Sequence, residues 1–217
     1  MTFVYLGIES FNPKVINGHM RKTPNKKYVA DKYRGVIKKL HKARMLVVGS
    51  VLYNNDEETF DSIIELINEL RTSKLDLIYL RPVLPMPGTE IFRRLHRDNR
   101  LLIGENPSDW ENLRYVLTHK TPAIRNYEDS IRIRYHILKS LYSSKEVIKR
   151  MLKAILRTRS LQLGIICCGA ALSEKKTHQV YIQRQEALAR KQAGNMTCMK
   201  GGSNENCTDR AYVKSRC

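Results

Sequence analysis

The chain has 217 residues, 42% of them hydrophobic, with 39 Lys plus Arg against 21 Asp plus Glu and a formal charge of +18. That is enough apolar material for the core of one domain, with or without a tail. No stretch of eighteen apolar residues is present to span a bilayer, and no basic region leads into an apolar segment and cleavage site, so a cytoplasmic chain is expected. The charge is uneven. From Lys145 to Cys217 there are 15 basic residues against five acidic ones, a local excess of ten. Such a run reads first as a solvated basic tail and second as a nucleic-acid surface. The five cysteines, Cys167, Cys168, Cys198, Cys207 and Cys217, are odd in number and lie late in the chain. No disulfide framework is expected from them.

Phe3 to Phe11 is an apolar, β-prone run that ends in Gly7-Ile8-Glu9-Ser10. It reads as a buried strand presenting Glu9 and Ser10 at its carboxyl end. Polar groups at the carboxyl ends of parallel strands are where α/β folds bind ligands. A short helix over Pro13 to Met20 and a basic loop around Arg21 follow. Thr23 and Pro24 read as the cap and first position of a helix reaching about Ala43. Tyr33, Val36, Ile37 and Leu40 form its apolar face.

Met45 to Tyr53 is a second strand, apolar on both faces, as parallel sheets require. Asp56 reads as the cap of a helix carrying Phe60, Ile63, Ile64, Ile67 and Leu70, with Glu57 and Glu58 in its first turn. A third strand, Leu75 to Arg81, stops at Pro82, and Thr89 caps a helix to about Arg97. Strand and helix thus alternate three times, which implies an α/β fold with parallel strands in right-handed crossovers.

The segment from Leu101 to Arg125 is irregular, and its Trp110 and His119 read as packing residues. Tyr127 to Leu141 reads as a helix. Ser143 with Glu146 matches a capping box ahead of a basic amphipathic helix bearing Val147, Ile148, Met151, Leu152, Ile155 and Leu156. Beyond Ser160 the expectation is a basic tail of low order, with a polar helix over Lys175 to Lys191 that has little to bury. The domain reading is therefore 1–100, then a helical extension 101–159, then a tail 160–217.

Three segments carry a resemblance: Leu6 to Phe11, Val47-Val48-Gly49-Ser50 through Asp56 to Phe60, and Leu80-Arg81-Pro82 through Pro85-Met86-Pro87-Gly88-Thr89. Together they resemble the second half of a radical S-adenosylmethionine (SAM) core. The subgroup is the one whose core follows a cobalamin-binding domain. Ile103 to Trp110 and Thr118-His119-Lys120 resemble that subgroup's region after the core.

The resemblance implies three βα units forming half of a partial TIM-type barrel. It implies SAM contacts from Glu9 and Ser10 to ribose or amino group, and from Arg21 to the carboxylate. Ser50, Leu52 and Tyr53 would lie against adenine, and Arg81 would point into the barrel mouth. The plainer roles are a cap or Arg21 partner for Glu9 and a surface charge for Arg81. Asn54-Asn55 stands where the family carries a glycine-containing turn.

The family's 4Fe-4S cluster is held by three thiolates in CxxxCxxC, and its cobalamin by the preceding domain. Neither ligand set occurs in these residues. The expectation is a fragment of a radical SAM enzyme, inactive alone, with a separate chain supplying the first half. The alternatives are a non-enzymatic nucleic-acid- or partner-binding module using Lys145 to Arg159, or a decayed gene product.

Overall fold

In this computed structural model, residues 3–10, 26–104 and 116–201 are described. The expected helix over Pro13–Met20, the Thr23-Pro24 cap, Arg21, Trp110, Cys207 and Cys217 lie outside them. The elements run β1 (Phe3–Glu9), α1 (Lys26–Lys42), β2 (Leu46–Tyr53), α2 (Phe60–Thr72), β3 (Leu77–Pro82), α3 (Glu90–Arg97), α4 (Tyr127–Leu141), α5 (Ser144–Thr158) and α6 (Leu161–Gly201). The strands form one open parallel sheet in the order β1-β2-β3. This is the α/β architecture of three consecutive βα units that the alternating pattern predicts.

Residue parity along β2 explains the layering, because successive side chains point to opposite faces. Val47, Val51 and Tyr53 face α1 and α2 and share a core with Ile8, Ile78, Leu80, Ile37, Ile63, Ile67 and Leu70. Ile133, Ile137 and Leu141 of α4 extend this core. Each such aliphatic side chain contributes about 1.5–3 kcal/mol on full burial. Gly49 lies between them because a Cβ there would come within 2.4 Å of Leu75 Cδ1. The opposite face, Leu46, Val48 and Leu77, is covered by Val147 and Ala154 of α5 and by Leu163, Cys167 and Ala171 of α6. At the outer edge of β3, the Tyr142 hydroxyl donates to the Ile78 carbonyl at 2.5 Å.

Two helix starts differ from expectation. Thr59, not Asp56, caps α2: its hydroxyl accepts from Ser62 N–H, and the Ser62 hydroxyl accepts from Thr59 N–H. Asp56 is unavailable because Arg94 and Arg100 hold its carboxylate. Ser143 does stand at the N-cap of α5, but its side chain makes no capping hydrogen bond, so the capping box does not form. Thr89 caps α3 as expected, accepting from Phe92 N–H at 3.3 Å.

The largest difference concerns the region read as a low-order tail. Residues 161–201 form the single helix α6, and only 202–217 lie outside the described residues. Its inward stripe is Leu163, Cys167, Ala171, Glu174, His178, Tyr181 and Gln185, all buried. The spacing of three and four is helical. Apart from Leu163 the residues are small or carry polar groups, so no strong apolar periodicity announces them. Small side chains let α6 sit close to the sheet and to α5, where a Cβ on Gly164 would meet Ile155 Cγ1 at 2.2 Å.

Candidate functional site

Parallel strands bring three carboxyl ends to one edge of the sheet: Glu9-Ser10, Tyr53-Asn54 and Arg81-Pro82. The register places Gly7 beside Ser50, Ser50 beside Tyr79 and Leu52 beside Arg81. Ser50, Leu52 and Arg81 therefore share the sheet face that α6 covers. Tyr53 has the opposite parity and turns into the helix-packed core, where it is fully buried. Of the seven residues expected around SAM, the structure thus gathers Ser50, Leu52 and Arg81 on one face and turns Tyr53 to the other, and Arg21 lies outside the described residues.

Ser10 is buried at the end of β1, with its N–H donating to Ile8 O at 2.8 Å. A register shift between Gly7 and Glu9 breaks the strand just before it, and Glu9 closes β1 opposite Val51. The expected Glu9–Arg21 pairing lies outside the described residues. Arg81 is engaged: one Nη donates to Glu174 Oε1 of α6 at 2.6 Å, and its guanidinium lies 5.6 Å from the centre of the Tyr79 ring. Glu174 is shielded and Arg81 is about a third exposed, which places this contact between a surface ion pair and a buried one.

Behind the end of β2 lies a buried polar network that the sequence did not announce. Asn54 adopts a left-handed conformation with φ 70°, so its side chain turns inward. Its amide NH₂ donates to His119 Nε2 at 3.4 Å, and its carbonyl accepts from the Thr121 hydroxyl at 2.5 Å. His119 Nδ1 lies 3.0 Å from the Thr118 hydroxyl. Burial, foremost, pulls the His119 pKa down to about 4, so the imidazole is neutral near pH 7. Asparagine is one of the few residues besides glycine that takes up this left-handed conformation readily.

Glu58 is the second buried group, 1% exposed. Asn55 N–H donates to its Oε2 at 2.8 Å, while Oε1 has no hydrogen-bond partner. Burial pushes its carboxyl up to about 7, against the opposing pull of the Asn55 donors. Glu58 is therefore a group that holds a proton in the neutral range. Asp56 behaves oppositely. Burial alone would raise it, but the hydrogen bond and charges of Arg100 and Arg94 prevail and hold it below the ordinary carboxylate range. These pairs lock the β2 loop to α3 and to the bridge between Leu101 and His119.

On the far side of Tyr53, α4 and α6 enclose Arg134. Its guanidinium lies 3.8 Å from the Tyr181 ring centre and 5.6 Å from that of Tyr53. It donates to His178 Nδ1 at 2.6 Å. Burial first, then the Arg134 and Arg81 charges, drive the His178 pKa well down. Sequence reasoning missed this cluster because its contacts join distant residues, Arg134 to His178 across 44 positions and Ser130 to Tyr181 across 51, and none has a local signature.

The residues present do not fit an iron–sulfur cluster. Cys167 is buried with its Sγ–H directed at the Asp76 carbonyl at 3.1 Å, and burial pushes its thiol up to about 11. That opposes the thiolate form a cluster needs. Among the described residues, no group of three His, Cys, Asp or Glu is arranged to hold a metal ion.

No family model matches the chain. It is 28% identical over 153 residues to the bacteriochlorophyllide d C-8(2)-methyltransferase of Chlorobaculum tepidum, a match that takes in 69% of this chain and 32% of that protein. The chain thus spans about a third of the length of the curated relative it matches. Among the described residues, no helix is long and apolar enough to cross a membrane.

Proposed function

We propose that this chain is a SAM-binding half-site of a radical SAM enzyme, of a kind concerned with methyl transfer. The observation that carries the reading is the convergence of Ser50, Leu52 and Arg81 on one face at the carboxyl ends of a parallel sheet. The relative's being a methyltransferase supports it. In this reading Arg81 directs its guanidinium into the barrel mouth toward SAM, and Arg21 offers its fork of donors to the SAM carboxylate. Ser50 and Leu52 line the adenosyl side, and Glu9 and Ser10 meet ribose or amino group from β1. The thiolates for the 4Fe-4S cluster, and any cobalamin site, come from another segment or a separate chain. No radical step is assigned to these residues.

Calorimetric titration with SAM tests the reading. Glu174 competes for Arg81, so Glu174→Gln, which removes the charge and leaves only a neutral acceptor, loosens the hold on the guanidinium and tightens SAM binding, while Arg81→Leu weakens it about tenfold, the worth of a charge-assisted hydrogen bond. Absence of saturable SAM binding by both the parent chain and Glu174→Gln refutes it.

A further inference from the structure

The outward faces of α5 and α6 are unusual for a helical hairpin packed on a sheet. Ile148, Leu152 and Leu156 recur every four residues and are 50%, 50% and 79% exposed. On α6, Leu161, Ile165 and Leu172 are 66%, 59% and 49% exposed. The inward needs of α5 are met by Val147 and Ala154, so the outer stripe is not used by the core. Lys145, Lys149 and Lys153 are exposed and run alongside it with the same four-residue spacing. Lys149 makes only a long contact of 3.7 Å to Glu146. Leu156, Lys149 and Lys153 also rim a cleft of about 660 Å³, whose far wall adds Arg71 and Lys74. The acids in that cleft are Glu146 and Asp76, and Asp76 is occupied by Arg157 and His41.

We infer that this hairpin face docks onto an anionic phospholipid surface, lying on the bilayer without crossing it. Exposed aliphatic residues interleaved with lysines match an interface in which hydrocarbon lies beneath a layer of phosphates. The charge excludes the simplest rival, a second copy of this chain. Self-association would set the lysines of one +18 chain against those of another. A nucleic-acid backbone would satisfy the lysines but leave six aliphatic side chains in water. The inference is independent of the SAM reading, since it uses the outward side of the hairpin and not the strand ends.

Vesicle co-sedimentation of the full chain tests it. Three lysines close to an anionic surface contribute on the order of a hundredfold, so vesicles with about a third phosphatidylglycerol bind the chain on the order of a hundredfold more tightly than pure phosphatidylcholine. Lys149→Gln with Lys153→Gln costs about twenty-fold at low salt, by the same per-lysine contribution. Leu152→Ser with Leu156→Ser, which keeps every charge, costs about tenfold through lost apolar contact. All four positions are exposed, so unchanged circular dichroism and melting temperature confirm folding. Equal binding to both vesicle types overturns the inference. So does unaltered binding by the Leu-to-Ser pair, or a gel shift with duplex DNA from a chain that ignores phosphatidylglycerol vesicles.

Discussion

Replacing Glu58 by Gln isolates one buried proton. The carboxyl has an ordinary pKa of 4.5 and is raised to about 7 in the fold, chiefly by burial. Between these values the folded chain holds a proton that the unfolded chain has released. This group's stabilising contribution is therefore complete below about 4.5 and is lost as pH rises to about 7. The full change is about 3 kcal/mol at most, from about 1.4 kcal/mol per pH unit. His119 works in the opposite sense. Its pKa falls from 6.5 to about 4, so its contribution is present above 6.5 and is lost as pH falls toward 4. His178, also lowered, has the same sign as His119. Glu58 and His119 oppose each other over the window they share, so the parent's own pH profile isolates neither. Glu58→Gln keeps a carbonyl for Asn55 N–H and removes one term. Urea unfolding followed by circular dichroism, from about pH 4.5 to about pH 8, reads the difference. The variant matches the parent at the acid end and becomes more stable than it by up to about 3 kcal/mol at the alkaline end. His119→Gln shows the mirror image, gaining on the parent as pH falls. A Glu58→Gln difference that stays constant within about 0.5 kcal/mol across the range refutes the burial argument.

Thr59→Ala removes a formed cap and lowers stability by about 1 kcal/mol, whereas Ser143→Ala, where no side-chain bond exists, changes it by a few tenths at most; thermal melts compare them directly. Gly49→Ala and Gly164→Ala each drive a methyl into a neighbour closer than 2.5 Å, Leu75 in one case and Ile155 in the other. Each lowers stability by about 1–3 kcal/mol in the same assay, and a neutral Gly164→Ala would mean that α5 and α6 are not in close contact. Anaerobic iron and sulfide reconstitution of the chain alone yields no reducible cubane signal by EPR, because Cys167 is held protonated and no CxxxCxxC exists.

The three strands, the helices between them and α4 were legible because each carries its own period. Val36, Ile37 and Leu40 mark a helical face, and Leu46 to Tyr53 is apolar on both sides. Turn residues such as Thr89 and Pro82 punctuate them. The capping of α2 was misread because Asp56 and Thr59 are both good cap residues; the choice depends on Arg94 and Arg100, which approach from 38 and 44 residues away. The helix α6 was illegible for a different reason. Its buried stripe pairs three polar residues with distant partners, Glu174 with Arg81, His178 with Arg134 and Tyr181 with Ser130. A stripe that uses buried polar residues in this way has little hydrophobic signature. Of the expected site, the placement of Ser50, Leu52 and Arg81 follows from strand parity alone. The same parity rule turns Tyr53 away, which the resemblance by itself did not register.

That parity also decides what any completion of a barrel would require. The face bearing Ser50, Leu52 and Arg81 would be the inner face of a barrel closed by further strands. Here Leu163, Cys167 and Ala171 of α6 occupy it, and Glu174 engages Arg81. A parallel strand such as β2, apolar on both sides, cannot leave either face in water. Filling by α6 and filling by a ligand-bearing interior are therefore mutually exclusive at Arg81. The small residues of α6 bury less apolar surface per turn than leucines would, so the contact is close in distance but modest in area. Polar contacts add specificity to this docking, and the part-buried Arg81–Glu174 pair is the one at the strand ends. Breaking it leaves Arg81 without its acid while Cys167 and Ala171 remain packed on the sheet. This is why Glu174→Gln, and not deletion of the helix, is the change that opens the strand ends without unfolding the sheet beneath them.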